Sequence, residues 1–170
     1  MAETATPSAR WQQAWAQLAT VLDPEVPALT LVDLGIVREL REDADGGFTV
    51  VLTPTYSGCP ATELIETEVK TALAAYQPLR VEQRRTPAWT TDWIGPEARE
   101  KLRQYGIAPP SCLAPVVGAN VQPLRLHESI PCPRCGSPKS ERLSAFGSTA
   151  CKALYRCTAC REPFEYFKPI

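Results

Sequence analysis

VRELREDADGGFTVVLTPTYSGCPATELIETEVKTALAAY, residues 37–76, changes its hydrophobic period part-way along. Two extended runs flank Asp45-Gly46-Gly47, and in the second Phe48, Val50 and Leu52 alternate with Thr49, Val51 and Thr53, which predicts a β-hairpin. Beyond Pro60 the period becomes helical. Ala61, Leu64, Ile65, Val69, Ala72, Leu73 and Tyr76 fall on one face, with Glu63, Glu66 and Lys70 mostly outside it. A hairpin followed directly by an amphipathic helix sets an α+β class.

Upstream, SARWQQAWAQLATVL (8–22) places Trp11, Ala14, Trp15, Leu18 and Leu22 at helical spacing, with Ser8 as N-cap and Pro24 and Pro27 ending the helix. Downstream, LRVEQRRTPAW (79–89) reads as a strand. GPEAREKLRQYGI (95–107) reads as a short helix begun by Pro96 and stopped near Gly106. The order over 8–106 is therefore helix, hairpin, helix, strand, helix, in one small domain. Prolines 109, 110, 115 and 123 predict a linker over 107–125, which includes Cys112. The remaining 126–170 form a cysteine-rich module with few large apolar residues: Leu126, Ile130, Leu143, Phe146, Leu154, Tyr155, Phe164, Tyr166 and Phe167. So small a core seldom folds unaided, and a bound metal commonly supplies the rest.

With 44% hydrophobic and 22% charged residues among 170, the chain reads as soluble and globular. No apolar run approaches the roughly 20 residues that cross a bilayer. The opening MAETATPSARWQQAW has an acid at Glu3 and no apolar core of export type, so a reducing cytoplasm is expected. There, C-x-x-C pairs are more often metal ligands or catalytic thiols than disulfides. Residues 1–125 hold 11 Lys+Arg against 15 Asp+Glu, and 126–170 hold 7 against 4. Four thiolates on a divalent ion would bring the second total close to neutral, and a nucleic-acid footprint needs a denser basic face.

Five of the seven cysteines fall in CPRCGSPKSERLSAFGSTACKALYRCTAC (132–160). Cys132 with Cys135 and Cys157 with Cys160 form two C-x-x-C turns, the signature of a four-cysteine zinc ribbon. The spacing of 21 residues between Cys135 and Cys157 is slightly wide and implies a longer strand-loop excursion. Gly136 suits a tight turn after the second ligand, whereas CTACRE has no such glycine. Zinc is favoured because a small ribbon gains folding free energy from it; a single iron fits the same sulfur set. Four protein ligands leave no open position for catalysis, so the role is structural. Cys151 is surplus: either a small buried hydrophobe in a strand, or a thiol able to exchange metal or sulfur with Cys59.

Cys59 precedes Pro60 at the expected start of a helix, where free amides and the helix dipole would lower its pKa. Two readings are open, a reactive thiol and a cysteine buried against the sheet. Asp23 in DPE and Asp33 in VDLGIV sit in loops, where an acid caps a turn, orients a thiolate or ligates a hard metal. His127 is the only histidine, so neither a two-histidine-one-carboxylate iron site nor paired Glu-x-x-His motifs exist. Trp11, Trp15, Trp89 and Trp93 suggest a core or partner-facing cluster, with Trp93 in an apparent loop suited to protein contact.

DPEVPALTLVDLGIVRELR (23–41) followed by LTPTYSGCPATELIETEV (52–69) resembles the small iron–sulphur assembly domain of SufT and of cytosolic iron–sulphur targeting proteins, over about residues 10–90. TTDWIGPEAREKLRQYGIAPP (90–110) and FGSTACKALYRCTACREPFEYFKP (146–169) look like the phenylacetate-degradation, or PaaD, branch of that family. The resemblance implies an α+β domain whose reactive Cys59 lies in a shallow site with Asp23, Glu25, Asp33 and Thr53. It also implies company with the multicomponent oxygenase that epoxidises phenylacetyl-CoA, which has a di-iron subunit and a flavin and [2Fe–2S] reductase. The expected role is a maturation factor without turnover of its own. It would hold iron or a cluster transiently and pass it to a protein client, the reductase or another component of the oxygenase. One cysteine per chain is too few to hold a cluster, so a homodimer sharing two Cys59 thiolates, or a bridge to a client cysteine, is needed. The alternative is a structural or adaptor subunit of the oxygenase. Neither nucleic acid nor a membrane is expected as partner.

Overall fold

The computed structural model describes residues 7–56, 58–110 and 129–170. The chain divides into two compact units, Met1–Trp89 and Thr90–Ile170. Helix Pro96–Tyr105, which the sequence assigns to the first domain, thus belongs to the second unit.

In the first unit, α1 (Ala9–Leu18) starts where Ser8 accepts the Trp11 N–H at 3.0 Å. It buries Ala14 and Leu18, while Trp11 and Trp15 stack with ring centroids 5.4 Å apart and the Trp11 indole donates to the Leu40 carbonyl. The helix ends at Leu18, well before Pro24, because the chain turns at once: Thr20 donates to the Gln17 carbonyl and Leu22 bridges to Thr30. Leu22, expected on the buried face, is therefore exposed.

β1 (Val37–Glu42) and β2 (Phe48–Leu52) form the expected hairpin, turning at Gly46 with φ 76°. A Cβ on Gly47 would run into the Pro78 carbonyl, the group that accepts the Phe48 N–H at 2.8 Å. α2 (Thr62–Ala72) carries the chain to β3 (Leu79–Gln83), which pairs parallel to β2. β2 is thus the central strand, and all five of its residues are buried, polar Thr49 included. Thr49 tolerates this because its hydroxyl donates to Asp43 at 2.7 Å. Ile65, Val69, Leu73 and Tyr76 are buried, and Tyr76 meets Phe48 edge-on at 5.7 Å. Full burial of side chains of this size contributes about 1.5–3 kcal/mol each. Leu64, predicted on the same face, is exposed.

In the second unit, Pro96 opens α3 (Pro96–Tyr105) and Gly106, with φ 97°, closes it. β4 (Ile107–Ala108) then pairs parallel to β7 (Pro163–Phe167), extending the antiparallel β5 (Ser140–Ser144), β6 (Lys152–Cys157) and β7 into a sheet of order β4-β7-β6-β5. Residues 107 and 108 are therefore sheet and not linker. They lie ahead of the proline run with both amides intact, and the Arg99 guanidinium donates to the Thr91, Ile94 and Pro110 carbonyls on either side. The small core packs Ala108, Ile130, Phe164 and Tyr166 against Cys132 and Cys157. Leu143 and Phe146, expected to add to it, are exposed. Cys112, Leu126, His127 and most of the expected linker lie outside the described residues. Among the described residues no helix is long and apolar enough to cross a membrane.

Candidate functional site

Two chemically distinct sites emerge. In the second unit, two tight turns bring four sulfurs together. The first closes as Gly136 N–H donates to the Cys132 carbonyl at 2.8 Å, with Gly136 at φ 71°. The second does the same work without glycine, by placing Arg161 at φ 66°. The sulfurs of Cys132, Cys135, Cys157 and Cys160 lie within 4.8 Å of one another, with Cys132 to Cys160 at 3.8 Å and Cys135 to Cys157 at 3.6 Å. A tetrahedral ion with metal–sulfur bonds near 2.3 Å needs an edge of roughly 3.8 Å, so the donor set fits.

The protons on these sulfurs are unevenly held. The Cys157 thiol is pulled down to about 6, first by the Cys160 N–H and further by the Ala159 N–H and the thiols of Cys160 and Cys135. The Glu162 N–H favours a Cys160 thiolate, but burial and the sulfurs of Cys157, Cys135 and Cys132 outweigh it and push that thiol up to about 12. A cation at the centre would relieve this repulsion, since ligation requires the thiolate form. Cys151 is not part of the four-sulfur set. It lies buried just before β6, with the Thr149 hydroxyl 3.0 Å from its sulfur, which matches the small-hydrophobe reading.

In the first unit, two acids upstream of Cys59 cap loop turns. Buried Asp23 accepts the Glu25 N–H at 2.9 Å and the Val26 N–H at 2.7 Å through one oxygen. Asp33 and Thr30 cap each other reciprocally, Asp33 Oδ2 accepting the Thr30 N–H and Thr30 Oγ1 accepting the Asp33 N–H, both at 3.0 Å. Trp89 braces the adjoining turn by donating to the Leu34 carbonyl at 2.8 Å. Thr53 is buried at the end of β2, its N–H on the Ile36 carbonyl.

Cys59 is half-buried, three residues before α2 begins, and its carbonyl accepts the Thr62 hydroxyl. Burial pushes its thiol above the ordinary value; the Ala61 N–H opposes this, the Glu25 and Asp23 carboxylates add to the rise, and the Thr55 hydroxyl offsets part of it. The expected lowering by a helix N-terminus is outweighed: the Ala61 N–H at the start of α2 does lower the value, but burial first and the two carboxylates next raise it by more. The Glu25 and Asp23 carboxylates thus act electrostatically on the Cys59 thiol. Thr55 was missed: TPT offers two threonines either side of Pro54, both buried, and only the fold distinguishes Thr53, whose amide serves the sheet, from Thr55, whose hydroxyl lowers the Cys59 pKa.

Comparison with known proteins fits this division. Residues 12–83 match the family described as iron-sulfur cluster assembly protein, and 118–168 match the PaaD zinc beta ribbon domain. The chain is 48% identical to an Escherichia coli protein named as a subunit of the putative 1,2-phenylacetyl-CoA epoxidase, over 92% of this chain and 91% of that protein. It is 37% identical to the Fe-S protein maturation auxiliary factor SufT of Staphylococcus aureus, over 48% of this chain and 96% of that one. A crystal structure of a DUF59 domain from Bacillus anthracis aligns with a TM-score of 0.49 at 27% identity, covering 54% of this chain and 89% of that one. The chain belongs to the PaaD family, an iron–sulphur assembly domain followed by a zinc beta ribbon.

Proposed function

We propose that this protein is a maturation factor for the iron–sulphur cofactor of the phenylacetyl-CoA ring-epoxidising oxygenase, serving its [2Fe–2S] reductase in the cytoplasm and acting through Cys59 without turnover of its own. The observation that carries this reading is a half-buried Cys59 thiol within the electrostatic reach of the Glu25 and Asp23 carboxylates, in a domain whose relatives are named Fe-S protein maturation factors. The carboxylates that disfavour a bare thiolate favour an incoming cation. The thiol therefore stays protonated at rest and gives up its proton as iron arrives. Thr55 supplies a hydrogen bond to the thiolate form. A single thiol with oxygen neighbours is incomplete ligation for iron or a cluster, which keeps the cargo transferable, and a second Cys59 or a client cysteine completes it.

Asp33 and Thr53 shape the loops around this thiol, and the ribbon cysteines hold zinc as a clamp. A zinc site closed by four sulfurs adds stability without offering an open coordination position. A second reading, a non-catalytic adaptor of the oxygenase, draws on the naming of the E. coli relative as a subunit of an epoxidase.

The test is reconstitution of the apo-reductase with iron and sulfide, followed by the growth of its [2Fe–2S] absorbance. Acceleration by the wild type and none by Cys59→Ser supports maturation. Equal rates with and without the protein contradict it and favour the adaptor.

A further inference from the structure

Leu22 and Leu64 are two leucines that helical spacing assigns to the core and the fold leaves in water, 53% and 48% exposed. Leu22 belongs to the lining of one feature. An open cleft of about 490 Å³ runs between the loop carrying Leu22, Pro24 and Pro27 and the α2 residues Glu68, Thr71 and Ala72. Leu64 stands one turn before Glu68 on the same helix face, outside the cleft lining. Asp23 also lines the cleft, which places its wall beside the Cys59 surroundings.

The charges around this cleft are one-sided. Residues 1–89 hold 7 Lys+Arg against 12 Asp+Glu. Arg10, Arg41, Arg80 and Arg84 are taken up in ion pairs with Glu42, Glu39, Glu82, Asp43 and Asp45, all on β1, β3 and the hairpin turn, and Lys70 pairs with Glu66. Glu68 is exposed in the cleft wall with no ion pair among the described residues. An unpaired carboxylate that shares a cleft with one exposed leucine and lies one helical turn from another suits a ligand that carries a cation beside apolar side chains.

We propose that this cleft docks a segment of a partner protein presenting Lys or Arg next to leucine-sized side chains, the cation meeting Glu68 and the apolar groups covering Leu22 and Leu64. Such docking would deliver the client next to Cys59, and in that respect it rests on the maturation reading.

The test titrates the zinc-loaded full chain with a synthetic peptide of leucines flanked by arginines, and with its twin carrying glutamates instead, followed by backbone amide NMR shifts. The arginine peptide is expected to shift Leu22, Leu64, Glu68 and Thr71. Glu68→Lys is expected to weaken it about tenfold and to reverse the preference toward the glutamate twin. Glu63→Lys makes the same charge change on another face of α2 and is expected to leave both affinities within about threefold. Absence of shifts at the cleft, shifts centred elsewhere, or an equal loss in Glu63→Lys would overturn the proposal. The readout contains no iron and no reductase, so failure of the maturation reading would leave it standing and failure here would leave Cys59 chemistry untouched.

Discussion

Arg161, at φ 66°, adopts in the second cysteine turn the left-handed backbone that Gly136, at φ 71°, adopts in the first. A residue with a Cβ pays roughly 1–2 kcal/mol for that conformation, and glycine does not. Arg161→Gly is therefore expected to stabilise the second unit by about 1 kcal/mol, and Gly136→Ala, which has open space around its Cβ, to destabilise it by a similar amount through backbone strain alone. Chemical denaturation of the metal-loaded protein reads both.

The ribbon core depends on its ligands, since Cys132 and Cys157 are themselves core residues. Cys157→Ser or removal of the metal by a strong chelator is expected to expose the amides of β5, β6 and β7, together with β4, to hydrogen exchange. The amides of β1, β2 and β3 should remain protected. Uniform loss across both units would contradict the division at Trp89.

Asp23 satisfies two loop amides from a buried position. Asp23→Ala leaves both without a partner and is expected to cost about 1–3 kcal/mol, read from urea denaturation. The same variant removes a charge that raises the Cys59 pKa, so its thiol should react faster.

Because burial and the two carboxylates raise the Cys59 pKa, its alkylation by iodoacetamide in the metal-loaded protein is expected to lag behind a free thiol at neutral pH and to catch up only above the ordinary thiol range. Glu25→Gln should accelerate it and Thr55→Val should slow it. The sign carries over to stability: the protonated thiol is the form the fold prefers, so its contribution is full below the unfolded-state pKa and is lost as pH rises through the folded one.

Glu165 titrates in the opposite sense. Burial works against its ionisation, but the Ser148 N–H and the buried Lys152 ammonium, 2.9 Å away, hold its carboxyl below the ordinary value. The second unit should therefore lose stability as pH falls below the ordinary glutamate range, and Glu165→Gln should flatten that dependence in acid denaturation curves.

The parts of the fold legible in the sequence were those governed by local chemistry. Ser8, Gly46, Pro96 and Gly106 mark their caps and turns by residue type, and the paired cysteines mark the ribbon by spacing. What escaped was set by tertiary context. Leu22 matches the helical period but lies beyond the helix end, in a turn that bridges to Thr30, and Leu64 matches it on a face of α2 left exposed, which periodicity alone does not encode. Ile107 and Ala108 sit beside prolines, yet β7 offers them an edge to pair with. Cys59 shows the same limit, because burial, together with Glu25 and Asp23 from a loop more than thirty residues away, outweighs the effect expected from the nearby helix.

The most direct measurement is the zinc, iron and acid-labile sulfide content of anaerobically purified protein, wild type beside Cys59→Ser. The expected result is about one zinc per chain in both, from the four-sulfur site of Cys132, Cys135, Cys157 and Cys160, with iron and sulfide present in the wild type alone. Zinc alone in both proteins, unchanged after incubation with iron and sulfide, would contradict a cargo-holding role for Cys59.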